Sequence, residues 1–353
     1  MVKESKSTDR NQARATIRDV ARIAKVDPSL VSRIVNNDPK ASASEATRKR
    51  VLAAVEELGY RANSAARMLK TARTQMIGLL LPDMANPMYA SIISGVEQRC
   101  KELGYGVLLG DHAEENTEKT FTELLESGQV DGLLIASGIL SDSFLKRQVL
   151  DRNQSVVLVN RRVRGVPSSV IVNDELGSSL AVEHLSISGS RLIAGIFGPP
   201  NIDTAQRRRK GFEEAAKKHH LKQIVIEMPS WGMNAGREAG INLLSRKIKP
   251  DAVYASTIMM GIGFLRAAYE LGVKIPKDVR VVAMHDSDIA NYLAPRLTTV
   301  HMPTTEMGSQ AVDLLLRLIG GGSPSHLIVD TSPILVVRDS SLLTKEKISR
   351  SIG

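Results

Sequence analysis

The chain has 353 residues, a length that is typical of a small module joined to one or two larger domains. Its positive charge is concentrated near one end: residues 1–74 contain 16 Lys and Arg against 8 Asp and Glu, whereas the remaining residues contain 31 against 30. This concentration favours a polyanionic partner for the first part of the chain. The single cysteine, Cys100, excludes an internal disulfide and is typical of a reducing compartment.

No apolar run reaches the roughly 18 residues that a membrane span requires. The first ten residues, MVKESKSTDR, also lack the apolar stretch of a secretory signal. We therefore expect a cytoplasmic protein in which residues 1–15 form a flexible basic leader.

Residues 16–36 have the pattern of two short helices with a tight break between them. Thr16 is predicted to cap the first helix, with Asp19 three residues later completing a capping box. Asp27 is predicted to cap the second helix. Pro28 then takes the first helical position, where its missing N–H costs little.

A third helix is predicted to begin after Ser44 and to end at Gly59. Val31, Ile34 and Val35 of the second helix are expected to face inward. The apolar residues of the third helix are Val51, Leu52, Val55 and Leu58. Three short helices around a small apolar centre predict a helix-turn-helix domain at residues 16–60. The second helix of such a domain enters the DNA major groove.

This stretch resembles the N-terminal signature of the lac-repressor/purine-repressor family of bacterial transcription regulators. The matching residues are Thr16, Asp19, Val20, Ala21, Ala24, Val26, Val31, Ser32, Arg33 and Asn36. The sequence departs from the family at Lys25, Asp27 and Leu30, where Gly, Ser and Thr are usual. A left-handed backbone at Lys25 would cost on the order of 1 kcal/mol, which the motif tolerates.

The resemblance implies that the second helix and its flanks contact DNA, through Thr16, Pro28, Ser29, Ser32, Arg33 and Asn36. Pro28 offers only apolar contact, for example to a thymine methyl. Arg33 is suited to a bidentate contact with guanine, worth roughly 1–3 kcal/mol of discrimination. The alternative is that Arg33 holds a phosphate or is a surface charge.

Residues 61–74 resemble the hinge helix and linker of the same family, with Ala62 in place of its usual Pro. The resemblance implies DNA contacts by Asn63, Arg67, Leu69 and Lys70, with Leu69 wedged into a central base step from the minor groove. So short a segment is unstable as an isolated helix and would fold when paired on DNA. The alternative is an ordinary linker helix packed on the next domain.

Residues 75–343 alternate short β-rich runs with helical stretches, which predicts doubly wound parallel sheets with ligands at the carboxyl ends of the strands. The predicted strands are 76–81, 106–110, 132–135, 155–159, 170–172, 192–197, 224–226, 252–254 and 279–283. Two such series suggest two lobes facing a cleft. The predicted fold class is therefore an all-α helix-turn-helix module followed by an α/β core.

This layout is similar to the effector-binding core of the same family, which resembles periplasmic sugar-binding proteins. The resemblance implies a first lobe of about 75–161 and 296–322, and a second lobe of about 165–294 and 325–343. The chain would then cross between the lobes three times and end in a tail at 344–353.

The family's effector-contacting positions fall here on Met88, Tyr89, Asn160, Arg161, Thr204, Arg208, Trp231, Thr257, His285 and Asp286. The fork of Arg208 suits sugar hydroxyls or a carboxylate. Trp231, the only tryptophan, is placed to stack on a ring; the alternative is a core residue.

Two departures from the family concern this cleft. Ser256-Thr257-Ile258 replaces a common Asn-Asp pair, and His285 stands where an acidic residue or Asn is usual. A protonatable His285 near Arg208 and Arg161 suggests an anionic effector, such as a sugar acid or phosphate. The alternative is a histidine whose hydrogen bonds are satisfied within the cleft.

No phosphate-binding loop, complete dinucleotide fingerprint, nucleophile elbow or metal-ligand spacing of the seven histidines is present in the sequence. We therefore expect no enzymatic activity, cofactor or metal. The sequence predicts a homodimeric, ligand-responsive transcription regulator that binds palindromic operator DNA, most simply as a repressor. The alternative is a solute-binding protein without a DNA function, which the basic three-helix module opposes.

Overall fold

The computed structural model describes residues 15–35, 41–60, 73–82, 86–111, 118–119, 122–123, 127–136, 140–151 and 155–342. The chain divides into two compact units, Met1–Thr74 and Gln75–Gly353. In the part that the structure describes, no helix has the length and apolar character needed to cross a membrane.

Among its described residues, the first unit has the three helices α1 (Ile17–Ala24), α2 (Pro28–Val35) and α3 (Glu45–Glu57). Their shared core consists of Val20, Ala21, Ala24, Val31, Ile34, Val51 and Ala54. Leu52, one of the apolar residues of α3, is 48% exposed. It follows the fully buried Val51, and consecutive helical residues point about 100° apart, so only one of the two faces the core.

The second unit contains two six-stranded sheets. The first sheet has the strand order β11-β5-β4-β3-β1-β2, and every neighbouring pair is parallel. Its strands are β1 (Met76–Leu81), β2 (Gly106–Asp111), β3 (Gly132–Ile135), β4 (Val156–Val159), β5 (Ser169–Ile171) and β11 (His326–Ile328). The helices α4 (Pro87–Glu102), α5 (Asp142–Asp151) and α10 (Thr304–Ile319) pack on this sheet.

The second sheet has the order β12-β10-β9-β8-β6-β7 and is parallel except for the edge strand β12. Its strands are β6 (Leu192–Phe197), β7 (Lys222–Glu227), β8 (Ala252–Ala255), β9 (Arg280–Met284), β10 (Thr298–His301) and β12 (Ile334–Val336). The helices of this lobe are α6 (Asp174–Ile187), α7 (Asp203–Lys218), α8 (Met233–Leu244) and α9 (Ile258–Glu270), and a 3₁₀ turn covers Asp288–Asn291. Each sheet with its helices forms one lobe.

The chain crosses between the lobes after β5, after β10 and after β11, so three crossings are present as predicted. The predicted boundaries, however, were wrong for three strands: β5 and β11 belong to the first sheet, and β10 belongs to the second. Each crossing therefore comes one strand later than expected. Strand pairing decides lobe membership, and it involves partners far away in sequence, such as β5 with β11.

Candidate functional site

The N-terminal caps of α1 and α2 form as the sequence predicts. Thr16 and Asp19 make the predicted capping box on α1, with the Thr16 hydroxyl donating to the Asp19 carboxylate at 2.7 Å. Lys25 ends α1 with a left-handed backbone at φ 53°. The Asp27 carboxylate accepts a hydrogen bond from the Ser29 backbone N–H at 2.7 Å. Hydrogen bonding to Ser29, first from its side chain and then from this backbone N–H, lowers the pKa of Asp27.

The outer face of α2 presents the residues expected to meet bases. Pro28, Ser29 and Arg33 are exposed, whereas Val31 and Ile34 on the opposite face are buried. Ser32 is half-buried. The exposed face of α2 thus carries small side chains and one cation, Arg33. A major groove admits a surface of this kind. Asn36, Asn63, Arg67, Leu69 and Lys70, also expected to contact DNA, lie outside the described residues.

The second unit contains a cavity of about 540 Å³ between the two lobes, lined by side chains from both. Residues that follow the carboxyl ends of strands line it: Pro82 after β1, Ala136 after β3, Asn160 after β4, Pro229 after β7 and His285 after β9. This is the position at which parallel sheets bind ligands, and the volume suits a small metabolite.

Nine of the ten predicted effector-contacting residues line this cavity: Met88, Tyr89, Asn160, Arg161, Thr204, Arg208, Trp231, Thr257 and His285. Asp286 is not among the described lining residues. Its carboxylate accepts a hydrogen bond from the Thr299 hydroxyl at 2.5 Å and pairs with Arg338 at 2.9 Å. These partners keep Asp286 within the second lobe, so its predicted place in the cavity was wrong.

Arg208 lies in the wall of the cavity and is only 1% exposed. Its guanidinium donates to the Asp174 carboxylate at 2.7 Å, to the Ser256 carbonyl at 2.8 Å and to His285 Nε2 at 2.8 Å. It also lies 5.5 Å from the centre of the Trp231 ring, within the range of a cation–π contact. Asp174 balances the buried positive charge of Arg208. The guanidinium is therefore a fixed hydrogen-bond donor that adds little net positive potential to the cavity.

His285 is a neutral hydrogen-bond acceptor for Arg208. Burial disfavours the imidazolium, and the neighbouring Arg208 repels it, so the pKa of His285 lies well below 6.5. Nε2 faces a guanidinium, which only donates, so this nitrogen carries no proton. The structure therefore favours the satisfied histidine over the protonatable one, and the argument for an anionic effector loses its main support.

The shifted pKa of His285 predicts a pH dependence of stability. Below pH 6.5 the unfolded chain gains a proton at His285 that the folded chain does not bind, so the free energy of unfolding falls as the pH decreases. One such group contributes up to about 1.4 kcal/mol per pH unit. We expect His285→Gln, which retains an acceptor, to flatten this slope between pH 6.5 and pH 5 in urea denaturation.

His220→Asn serves as the control, because that side chain is exposed, is not among the groups that shift the pKa of His285, and is replaced by an Asn that tolerates the positive φ of 55° at this position. His184, whose pKa burial and Arg280 also lower, should leave a residual slope in the His285→Gln variant. An unchanged pH profile in His285→Gln would show that His285 is protonated in the folded protein.

Asn160 and Thr204 bring the two lobes into contact beside the cavity. The Thr204 hydroxyl, on α7, donates to the Asn160 carbonyl at 2.5 Å. Asn160 is 8% exposed, and its Oδ1 has no hydrogen-bond partner. Arg161 follows, but its guanidinium is turned toward the Leu140 carbonyl at 2.8 Å and Asp142 at 2.6 Å. Asn160 Oδ1 thus remains a buried acceptor for a ligand N–H or O–H.

Trp231 is a wall of the cavity as well as part of the packing of the second lobe. The half-buried ring lies so close to Gly198 that a Cβ there would stand 2.4 Å from it. Thr257 fixes its backbone, since the Thr257 hydroxyl donates to the Trp231 carbonyl at 3.1 Å while accepting from Met260 N. The two interpretations of Trp231 are therefore compatible.

The sequence analysis did not identify the other residues that line the cavity. It also did not identify Asp174 and Asp142, whose carboxylates pair with Arg208 and Arg161. The additional lining residues are Pro82, Asn86, Ala136, Val159, Pro199, Asn201, Ile202, Pro229, Ser230, Gly232, Ile258 and Met259. Most of these residues follow a strand or begin a helix. Their position between a strand and the next helix was therefore the sequence signal that could have identified them. Within the described ranges, no group of three or more His, Cys, Asp or Glu is placed to hold a metal ion.

Comparisons with known proteins agree with this architecture. The model of a family described as bacterial regulatory proteins, lacI family, matches residues 16–63, and that of a periplasmic binding protein-like domain matches residues 182–341. The ribose operon repressor of Escherichia coli (strain K12) is 32% identical over 338 residues, which cover 93% of this chain and 100% of the relative. The HTH-type transcriptional repressor PurR of Aliivibrio fischeri (strain ATCC 700601 / ES114) is 30% identical over 340 residues, with coverages of 92% and 98%.

Two solved structures extend the similarity to the fold. The lac repressor dimer bound to operator and the anti-inducer ONPF has a TM-score of 0.77 at 28% identity, covering 94% of this chain and 100% of that chain. The complex of the transcriptional regulator CelR with cellobiose has a TM-score of 0.70 at 30% identity, with coverages of 93% and 100%.

A basic helix-turn-helix followed by a two-lobed, binding-protein-like core defines a class of DNA-binding regulators rather than of enzymes. The chain belongs to the lacI family of bacterial regulatory proteins and is a DNA-binding transcriptional repressor.

Proposed function

We propose that the protein binds a pseudo-palindromic operator as a homodimer and that a small molecule in the inter-lobe cavity controls this binding. The observation that carries the proposal is the cavity itself: both lobes line it, and Arg208 is fixed in its wall. A ligand that contacts both lobes stabilises one arrangement of them over others. Coupling of this kind is typically 1–3 kcal/mol.

We propose that the effector is a sugar or a related metabolite. Trp231 offers a ring face, Arg208 offers donors and Asn160 Oδ1 offers an acceptor, a combination that suits a polar ring. Because Asp174 balances Arg208 and His285 is neutral, a neutral sugar fits better than the sugar acid or phosphate that the sequence suggested. Among the similar proteins, one is named for a ribose operon and one was solved with cellobiose.

We propose that α2 contacts the bases of the operator half-sites and that the paired hinge segments bind the centre of the operator, as the resemblance to the family implies. The exposed Pro28, Ser29 and Arg33 support the first part. This surface also argues against the alternative, a solute-binding protein without a DNA function. The proposed compartment is the cytoplasm, where the operator is located.

Binding to DNA from the upstream region of the protein's own gene tests the proposal. We expect Leu69→Ala to weaken binding to the specific site strongly but to leave nonspecific binding nearly intact, because a lost minor-groove wedge removes only the contact that requires the bent site. Gel-shift titrations at two salt concentrations measure both affinities, with a chain lacking residues 1–74 as the negative control. Equal loss of both affinities would reject the wedge, and absence of any site preference in the unaltered protein would reject the function.

A screen of metabolites by the emission of Trp231 tests the cavity. D-ribose against D-ribose 5-phosphate, and D-glucose against D-gluconate, compare neutral with anionic ligands of similar shape. A response restricted to the anionic members would contradict the neutral effector while leaving the operator function intact.

A further inference from the structure

The first turn of α7 joins the two lobes on one side of the cavity. The Asp203 carboxylate, in the second lobe, accepts a hydrogen bond from the Arg162 backbone N–H at 2.9 Å, in the loop that links β4 to β5 of the first lobe. The next residue, Thr204, donates to the Asn160 carbonyl in the same loop. Two consecutive side chains in the first turn of α7 thus form hydrogen bonds with the backbone of the first lobe.

Asp203 is also the end of a relay of ion pairs that leads to the cavity. Its carboxylate pairs with Arg207 one turn later on α7. Arg207 then donates to Asp174 Oδ2 at 2.7 Å, while Arg208 donates to Asp174 Oδ1 at 2.7 Å. One buried carboxylate therefore connects the guanidinium that lines the cavity to the guanidinium that holds Asp203.

The inner members of this relay are shielded from water, whereas the side chain of Asp203, at its end, is 26% exposed. The side chain of Asp174 is 0% exposed and that of Arg207 is 12% exposed. Although burial opposes both charges, the pairing raises the pKa of Arg207 and lowers that of Asp174. Charge-assisted hydrogen bonds are stronger and more directional in such surroundings than at a surface. These ion pairs therefore fix the positions of Arg207 and Arg208 relative to Asp174.

We propose that Asp203 is a positioning residue that sets the arrangement of the lobes and the placement of Arg208 together, by tying the Arg162 backbone to the Arg207–Asp174–Arg208 relay. Neither Asp203 nor Arg207 is among the described residues that line the cavity, so Asp203 acts through other groups. The inference rests on the proposed role of the cavity as the effector site. It identifies Asp203 as the residue that connects that site to the backbone of the first lobe.

The same helix provides a matched control. Arg209 and Glu213 form an ion pair with the same four-residue spacing as Asp203 and Arg207, but both side chains are more than a third exposed and both belong to the second lobe. Glu213→Gln removes an ion pair from α7 without touching the first lobe. We therefore expect Glu213→Gln to behave as the unaltered protein.

The test uses the single tryptophan of the full-length chain and requires no effector. Trp231 lies in the cavity wall, so separation of the lobes exposes it to acrylamide. We expect Asp203→Ala to raise the fraction of molecules with separated lobes by roughly tenfold or more, since the hydrogen bond that the charged Asp203 carboxylate accepts from the first lobe is lost. The acrylamide quenching constant of Trp231 should rise accordingly.

Asp203→Asn retains an oxygen acceptor for the Arg162 N–H but loses the charge that holds Arg207, so its quenching constant should be intermediate. Circular dichroism establishes that each variant is folded. A residue with a merely structural role would lower the unfolding temperature and leave the quenching constant unchanged, and that result in both Asp203 variants would overturn the inference. It would leave the proposed function standing, because operator binding is measured separately.

Discussion

Asp174→Ala is expected to lower the free energy of unfolding of the core by about 3–5 kcal/mol, because it leaves two buried guanidinium groups without their shared carboxylate. Asp174 accepts from both Arg207 and Arg208, whose side chains are 12% and 2% exposed. Arg207 retains its pair with Asp203, whereas Arg208 keeps only neutral acceptors. The uncompensated charge at Arg208 therefore dominates the loss.

Urea denaturation at neutral pH measures this change, and Glu175→Ala is the matched control. Glu175 is the next residue on α6 and pairs with Lys210 at 2.9 Å, but that pair is at the surface. Its removal should change the free energy of unfolding by no more than about 1 kcal/mol. Similar losses in the two variants would mean that the charge of Asp174 is not what stabilises this part of the core.

Arg208→Lys is expected to abolish the response of operator binding to the effector while preserving operator binding in its absence. A lysine keeps the charge but presents one nitrogen, which cannot replace a planar fork that reaches Asp174, Ser256 and His285 in fixed directions. The affinity for the effector should fall at least roughly tenfold, the equivalent of about 1.4 kcal/mol.

Operator titrations with and without an effector found in the Trp231 screen measure this response. Arg209→Lys is the control, because Arg209 is the next residue on α7 and its guanidinium binds Glu213 and Glu227 away from the cavity. A normal effector response in Arg208→Lys would remove Arg208 from the ligand contacts. Loss of operator binding without effector would instead point to a general disturbance of the core.

The helix-turn-helix was readable from sequence because its determinants are local. The capping pair of Thr16 and Asp19 and the cap of α2 at Asp27 all act over two or three residues. The left-handed backbone at Lys25, where glycine is usual in the family, was considered from sequence only as a condition, and the structure shows it. The apolar pattern of α3 did not show which of the adjacent Val51 and Leu52 faces the core.

The cavity was predicted less completely. Nine lining residues were anticipated from the resemblance, but Asp286 was misplaced because its partners, Thr299 and Arg338, lie 13 and 52 positions away. The protonation of His285 was likewise undecided by sequence. It depends on burial and on Arg208, which is 77 positions away.

The sequence by itself determined the two kinds of unit, the nine strands that it predicted and the caps of α1 and α2, because these depend on short-range periodicity and on hydrogen bonds between near neighbours. The tertiary structure alone decided which strands share a sheet, which side chains meet in the cavity and which charges cancel there. Those outcomes depend on pairs that are distant in sequence: the packing of α6 against α7 brings Asp174 within hydrogen-bond distance of Arg208, and the packing of the two lobes does so for Asp203 and Arg162.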